Sequence, residues 1–203
     1  MLSAREPRGT PRGKIPNTVA REVRLRSGLA RAAQTLGALE RAVQLAIDHS
    51  IARQQFGRSI SKFQAVQMLV AEAAEEAALA RAAVEYAIEV AELHGILCDY
   101  AELAVAVCRA CIGSAARIVA RNAHQVHGAI GFTLDHRLRH FTLRALAWRN
   151  EYGTQRYWEE VVGARAIDAA ADAGIWDLIS QEGSSESRTV PQSAPRPNGS
   201  ESL

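Results

Sequence analysis

One stretch of helical periodicity constrains this chain more than any other feature. Between residues 25 and 47, apolar side chains recur at spacings of three and four, which places them on one face of a helix. The residues in this series are Leu25, Leu29, Ala32, Leu36, Leu39, Val43 and Ile47. A helix with one apolar face must pack that face against other elements, so the series predicts a first long helix in a helical domain.

The same spacing continues through the middle of the chain, interrupted by short loops. Gly57 stops the first series, Ser61 and Gln64 match a capping box that opens a second helix, and Gly95 ends that helix. A similar capping pattern at Asp99 opens a third helix. The predicted helices cover residues 18–51, 61–94, 99–127, 137–149 and 155–173, with a break of the last at Gly163 or Gly174 left open.

The composition agrees with closely packed helices. Apolar residues make up 48% of the 203 residues, aromatic residues only 5%, and alanine is concentrated in the middle of the chain. Alanine is the best helix former and a poor strand residue. Because short loops between long helices make sequential neighbours antiparallel, we predict an all-α, up-and-down antiparallel four-helix bundle with an extra C-terminal helix.

Charge, cysteine content and histidine spacing bear on the class of function. The net charge of +2 gives no indication of a nucleic-acid partner, and no apolar run approaches the roughly 18 residues of a membrane span. Cys98, Cys108 and Cys111 form no disulfide framework, which favours a reducing compartment and a cytoplasmic location. His124 and His127 have the spacing of a metal pair, but no third ligand joins them, so no metal site is predicted.

The two ends of the chain lack hydrophobic periodicity. Residues 1–17 carry several arginines, as a transit peptide does, but the three prolines and two glycines before Asn17 indicate a disordered leader. Residues 183–203 are rich in serine and proline and predict a disordered tail. The helical domain is therefore expected to span residues 18–182.

Three stretches are not explained by packing alone. Residues 53–57 (RQQFG) place a permanently charged guanidinium and an aromatic ring at a helix end. Residues 125–132 (QVHGAIGF) combine amides with glycines, which let the backbone approach a ligand closely. Residues 151–154 (EYGT) lie between two helices, where the amides at a helix start can receive an anion.

Taken in order, the three stretches resemble motifs of one enzyme family. Residues 46–64, AIDHSIARQQFGRSISKFQ, resemble the R-x-x-F-G…F-Q segment in the carboxy-terminal helical domain of acyl-CoA dehydrogenases. Residues 125–132 resemble that family's Q-x-x-G-G-x-G-[FY] turn, and Gly153-Thr154 stand at the spacing of its E-G-T motif. The resemblance covers roughly residues 25–170 and looks closest to the bacterial branch with paired, heteromeric enzymes of sterol side-chain and unusual acyl-CoA breakdown.

The resemblance implies a flavoprotein oxidoreductase that carries out FAD-dependent α,β-dehydrogenation of an acyl-CoA thioester, in fatty acid or sterol side-chain degradation. Family enzymes bind FAD where two subunits meet. Arg53 matches the arginine that holds the FAD pyrophosphate, and its bidentate fork suits that role. Phe56 matches the aromatic residue beside the adenine, and Gln64 matches a polar contact there.

The remaining FAD contacts follow from the second and third motifs. Gln125, Gly128 and the amide of Ala129 match the turn that receives the diphosphate from the partner subunit, and Thr154 matches a contact beside the flavin. Ala129 replaces the second family glycine. The implied partners are an acyl-CoA substrate, further subunits of a homo- or hetero-oligomer, and an electron-transfer flavoprotein.

The catalytic base of the family aligns here only with a shift of one residue. In this chemistry a carboxylate removes the substrate α-proton while the β-hydrogen leaves as hydride to flavin N5. The family glutamate directly precedes Gly-Thr, where this chain has Tyr152, and the family's other location, near Ser27, holds no acid. Glu151, one residue earlier, is the predicted base.

Two interpretations of the whole chain stay open. The family's amino-terminal helical domain and middle β domain have no counterpart in this sequence, so an isolated carboxy-terminal domain is expected. Such a chain is either a dehydrogenase that a partner completes, or a non-catalytic subunit that supports oligomerisation and completes a flavin site. The second interpretation also includes the possibility that the chain is a remnant of a truncated gene.

Overall fold

The computed structural model describes residues 15–172, and nearly all of this part of the chain is helical. Two short strands and two turns of 3-10 helix, Ile60–Lys62 and Gly128–Phe132, lie between the α-helices. The main elements are α1 (Asn17–Ala52), β1 (Gln54–Gln55), β2 (Arg58–Ser59), α2 (Gln64–His94), α3 (Asp99–His127), α4 (Leu138–Trp148) and α5 (Gln155–Asp172). The all-α prediction is confirmed.

The three long helices form the body of the bundle, with α2 antiparallel to both of its neighbours. Arg21, near the start of α1, binds Glu102 at the start of α3, while the rings of His49 and His127 stack near the ends of the same helices. α1 and α3 are therefore parallel to each other. α4 packs against α1 and α3, and α5 lies along α3.

Helix α3 is the centre of the core. Its fully buried side chains include Val105, Ile112 and Val119, and small residues elsewhere on the helix let its neighbours approach closely. At Gly113 a Cβ atom would lie only 2.7 Å from the Gln155 side chain, so a larger residue here would displace that side chain at the start of α5. This close approach of helices fits the alanine-rich composition.

The expectation about membrane spans needs one correction. Within residues 15–172 one helical stretch, residues 99–132, has the length and mean hydropathy (1.7) of a membrane span. However, 61% of its most apolar window is buried inside the bundle. A central helix is apolar on most faces because it packs on most faces, so burial in the core accounts for its composition.

The predicted bounds of four helices hold to within one residue, but α2 begins three residues later than predicted and several predicted end signals are wrong. α1 includes Asn17, which was assigned to the leader, and ends at Ala52, so Gly57 does not stop it. Ser61 does not cap α2: it lies in the 3-10 turn, its amide bonded to Ser59 Oγ, and α2 begins after Phe63. The hydroxyl of Ser59 therefore caps the 3-10 turn, and α2 has no side-chain cap of its own.

The start of α3 also differs from the predicted capping box. The cap is Cys98, whose Sγ accepts a hydrogen bond from the Ala101 amide, while Asp99 and Glu102 both bind Arg21 of α1. Because both carboxylates bind the Arg21 guanidinium of α1, neither caps α3. Gly95 (φ 80°) does end α2, and α5 continues through Gly163. Gly174, the leader up to residue 14 and the predicted tail lie outside the described residues.

Candidate functional site

The first candidate stretch forms a β-hairpin, which the sequence analysis did not predict. β1 and β2 pair with Gln55 opposite Arg58, leaving Phe56 (φ 53°) and Gly57 (φ 77°) as the two turn residues. Two positive φ values in a two-residue loop are typical of a type I′ turn, which favours asparagine and glycine. A phenylalanine at the first position is a strained choice, and strain of this kind is typical of functional sites.

The Phe56 side chain makes little packing contact that could offset this strain. The residue is 89% exposed, and its ring meets the Phe63 ring edge-on, with 6.1 Å between centroids. Arg53, the residue after α1, donates its amide to the His49 carbonyl and has an exposed side chain. Among residues 15–172 no carboxylate pairs with the Arg53 guanidinium, so both side chains are available to a ligand.

The second candidate stretch lies at the same end of the bundle, because α1 and α3 run parallel. Gly128 (φ 63°) ends α3, and the chain continues as the 3-10 turn that contains exposed Ala129. At Gly131 a Cβ atom would lie 2.8 Å from the His127 Cβ, so this glycine lets the turn fold back against α3. The side chains of Gln64 and Gln125 are exposed near this end.

An open groove of about 790 Å³ runs beside Gln125 along α2. Its walls are mainly apolar, formed by Ala65, Met68 and Leu69, with Glu72 at one side. Glu72 accepts hydrogen bonds from Asn122 (2.7 Å) and Arg121 (3.2 Å). The Asn122 bond, with Arg121, holds the pKa of Glu72 below its ordinary value, so this carboxylate is charged at neutral pH.

A cluster of imidazole rings joins the two stretches. The His127 ring stacks on His49 (4.5 Å between centroids) and meets the edge of His136 (4.8 Å), while its Nδ1 donates to the Ala123 carbonyl. Burial lowers the pKa of His127 to about 4, and burial also lowers the pKa values of His49 and His124. Across residues 15–172 no three His, Cys, Asp or Glu side chains are placed to hold a metal ion.

The third candidate stretch is the loop between α4 and α5, which we call the α4–α5 loop (residues 149–154). The Glu151 carboxylate forms an ion pair with Arg31 of α1 at 2.6 Å. Tyr152 (φ 59°) and Gly153 (φ 124°) follow in left-handed conformations. Thr154 caps α5, its Oγ1 accepting the Tyr157 amide, so a side chain already fills part of the expected anion position.

Beneath this loop lies a buried arginine that the sequence analysis missed. The Arg109 side chain, fully buried on α3, donates from Nη2 to the carbonyls of Glu151 (2.7 Å) and Arg149 (2.9 Å). The carbonyls of Gly153 (3.4 Å) and Trp148 (3.5 Å) lie farther from the same atom. Burial lowers the pKa of Arg109 below its ordinary value.

The candidate residues therefore form two separate groups. Six of them gather at one end of the bundle: Arg53, Phe56, Gln64, Gln125, Gly128 and Ala129. Glu151 and Thr154 form the second group, beside Arg31 in the first half of α1. At a rise of about 1.5 Å per residue, Arg31 and Arg53 are roughly 33 Å apart along the helix axis.

Comparison with known proteins identifies the fold. A family model described as "Acyl-CoA dehydrogenase, C-terminal domain" matches residues 19–167. The chain belongs to this family. The match of this acyl-CoA dehydrogenase C-terminal domain includes the hairpin, the turn after α3 and the α4–α5 loop.

Its relatives include the following two curated proteins. An acryloyl-CoA reductase (NADH) of Anaerotignum propionicum is 32% identical over 106 residues, 52% of this chain and 26% of that protein. Acyl-CoA dehydrogenase IpdE2 of Mycolicibacterium smegmatis is 31% identical over 119 residues, 59% and 35% of the two chains. The matched regions are thus about a quarter to a third of the curated relatives' length.

The solved structure is the ChsE4-ChsE5 complex from Mycobacterium tuberculosis, with a TM-score of 0.67 and 27% identity over 72% of this chain and 39% of that one. Its name describes an assembly of two different proteins. Other structures with this fold include an FAD-dependent dehydrogenase and an FAD complex, and FAD is the cofactor of the family.

The described residues fit one part of such a cofactor. An exposed aromatic ring held at a left-handed position is complementary to a planar base, and an unpaired guanidinium is complementary to a diphosphate. Arg53 and Phe56 could be found from the motif in the sequence, whereas Arg31 and Arg109 could not, since both act on a loop far away in the chain.

Proposed function

We propose that this domain supplies the adenine and diphosphate side of an FAD site and takes part in α,β-dehydrogenation of an acyl-CoA thioester when other polypeptide completes the site. The observation that carries the proposal is the exposed Phe56 at φ 53°, beside Arg53 and at the same end as the turn after α3. A residue with a strained backbone and an exposed aromatic ring lowers the stability of the fold unless the ring binds a ligand.

Each group would have a distinct role in that site. Arg53 would bind the pyrophosphate, Phe56 and Gln64 would contact the adenine, and the turn at Gln125, Gly128 and Ala129 would receive a diphosphate. Thr154 would lie near the flavin. FAD, when bound, supplies the acceptor for the hydride that leaves the substrate β-carbon. Glu151 would remove the α-proton. The separation of the two groups supports an assembly in which they serve different copies of the cofactor.

A second candidate function follows from the Arg31–Glu151 ion pair. The Arg31 guanidinium contacts the Glu151 carboxylate at 2.6 Å, a contact that a purely structural carboxylate would also make. This observation favours a subunit that completes a partner's flavin site and contributes no base. In either function the domain works within an oligomer, in a reducing compartment such as the cytoplasm, with an electron-transfer flavoprotein as electron acceptor.

Titration of FAD into the purified chain tests the proposal. Quenching of flavin fluorescence measures the binding. We expect binding to be weak and the flavin to be lost on desalting, because only part of the site is present. Arg53→Ala and Phe56→Ala should each weaken binding by at least about tenfold, the cost of one charge-assisted or stacking contact. Arg117→Ala removes an exposed arginine of α3 away from the hairpin and is the matched control.

The same titration with AMP and with riboflavin identifies which part of FAD is recognised. Competition by AMP and none by riboflavin is the result expected for an adenine site. Equal FAD binding by the wild type and by both hairpin variants would contradict the proposal. Tight, stoichiometric FAD binding that survives desalting would contradict the view that the described residues hold only part of the site.

A further inference from the structure

We infer that Arg109 is a positioning residue that holds the α4–α5 loop in place and thereby sets the location of Glu151. All four carbonyls around its Nη2 belong to residues 148–153. One terminal nitrogen carries two hydrogens, so the two short bonds, to Arg149 and Glu151, are the ones that fix the loop.

The loop needs such a restraint because its own conformation is unfavourable. Tyr152 and Gly153 are consecutive residues with positive φ, and a tyrosine rarely adopts that conformation. The two short Arg109 bonds hold the carbonyls of Arg149 and Glu151, and Glu151 directly precedes Tyr152. The arginine therefore fixes the backbone immediately before the strained residue.

The burial of Arg109 indicates a specific role rather than general packing. A fully buried cation is costly unless its partners compensate it, and here no carboxylate bonds to it within the described part of the chain. Its Nε and Nη1 are also buried without a hydrogen-bond partner among these residues. An apolar side chain would fill the same volume at lower cost, so the retained charge serves the loop carbonyls.

Two parallel helices thus hold one residue from two sides. Arg109 of α3 binds the Glu151 carbonyl, and Arg31 of α1 binds its carboxylate while stacking over the Trp148 ring, 5.1 Å from its centroid. Release of the carboxylate from Arg31 would leave the backbone of Glu151 still held by Arg109. The consequence for catalysis rests on the proposed function, whereas the placement of the loop does not.

Hydrogen exchange of the full chain, followed by mass spectrometry, tests the inference. The amides of Asn150 and Glu151 donate to the carbonyls of Ala147 and Trp148 and report directly on the loop. In Arg109→Met we expect these amides to exchange on the order of tenfold faster, with the amides of α2 unchanged. Arg109→Lys, whose ammonium can still donate to carbonyls, should give intermediate rates, and Arg117→Met on the same helix should match the wild type.

Each outcome decides the question. Wild-type exchange of the loop in Arg109→Met, or an equal increase in α2, would overturn the inference because Arg109 would then be a general core residue. If Arg109→Met does not fold, Arg109→Lys must show the loop-specific increase alone or the inference fails. Loop-specific loosening in a chain that never binds FAD would support the role of Arg109 and contradict the proposed function separately.

Discussion

At the scale of single residues, Glu151 decides between the two candidate functions. It is the carboxylate nearest to the family's base position, one residue before Tyr152. It is also tied to Arg31 through its side chain and to Arg109 through its carbonyl. A base would accept the substrate proton on this carboxylate, whereas a structural carboxylate would only keep its contact with Arg31.

Replacement of Glu151 by glutamine separates these roles in a complex that binds FAD and substrate. If Glu151 is the base, Glu151→Gln should lower the rate of substrate-driven flavin bleaching by about 100-fold or more with FAD still bound, because an amide cannot accept the proton. Tyr152→Phe is the control and should change the rate little, since a phenol is a poor base at neutral pH. Full activity of Glu151→Gln would assign the base to the partner.

Gly153 is the residue of the α4–α5 loop with the least tolerance for substitution. Its φ of 124° excludes most side chains, and a Cβ atom would lie 2.6 Å from Trp158 Nε1. Gly153→Ala should therefore destabilise the fold by more than ~2 kcal/mol in urea unfolding. Gly37→Ala is the matched control: no atom lies within 4 Å of its Cβ position inside α1, so it should stabilise by about 0.5–1 kcal/mol.

At the scale of elements, helices were predictable and their junctions were not. The bounds of α1 to α5 follow from periodicity within each segment, because burial of one face imposes it locally. The hairpin at Phe56 was missed because a two-residue turn with a phenylalanine has no usual sequence signal. The capping pattern at Asp99 was misassigned because Arg21, 78 residues earlier, binds that carboxylate.

The candidate site divides in the same way. The motifs singled out Arg53, Phe56 and Gln125, and the structure places all of them near one end of the bundle. Nothing in the sequence pairs Glu151 with Arg31 or with Arg109, since both contacts depend on the parallel arrangement of α1 and α3. Contacts between residues this far apart become visible only once the packing is known.

The junction between the ends of α1 and α3 should make stability depend on pH. Burial lowers the pKa of His127 to about 4 from an ordinary 6.5, and His49, His136 and His124 around it act in the same direction. Between pH 6.5 and 4 only the unfolded chain takes up this proton. The contribution of His127 to the free energy of unfolding is therefore fully present above pH 6.5 and is lost as the pH falls towards 4. The loss on going from pH 7.5 to 5 should be about 2 kcal/mol for this group.

Urea unfolding at the two pH values measures this effect. In His127→Phe, which keeps a flat ring against His49, the difference between pH 7.5 and 5 should shrink by about that amount. His94→Phe changes an exposed histidine at the other end of α2 and should leave the difference unaltered. An equal pH response in wild type and His127→Phe would show that other groups are responsible.

At the scale of the whole molecule, the outer face of α2 carries apolar side chains that the bundle does not cover. Met68 is 65% exposed, Leu79 57% and Leu93 70%. Spread along the length of α2, they expose an apolar surface of the kind that marks protein interfaces. The domain should therefore associate, with itself or with a partner, through this face.

Light scattering of the purified chain measures that association directly. We expect a species larger than a 22.0 kDa monomer at micromolar concentration. Leu79→Glu should shift the species towards monomer, because a charge on the face would be buried on association, whereas Arg117→Glu should not. A soluble monomer whose size does not change with concentration would contradict the prediction.

The way in which the α4–α5 loop is anchored also has a consequence for the order of folding. Both of its anchors, Arg31 and Arg109, precede it in the chain, so they leave the ribosome first and the loop meets them last. Helices α1, α2 and α3 are sequential neighbours and can assemble around the core early, with little loop-closure entropy. During synthesis the chain would thus hold a cationic gap between α1 and α3 until residues 149–154 emerge and close it.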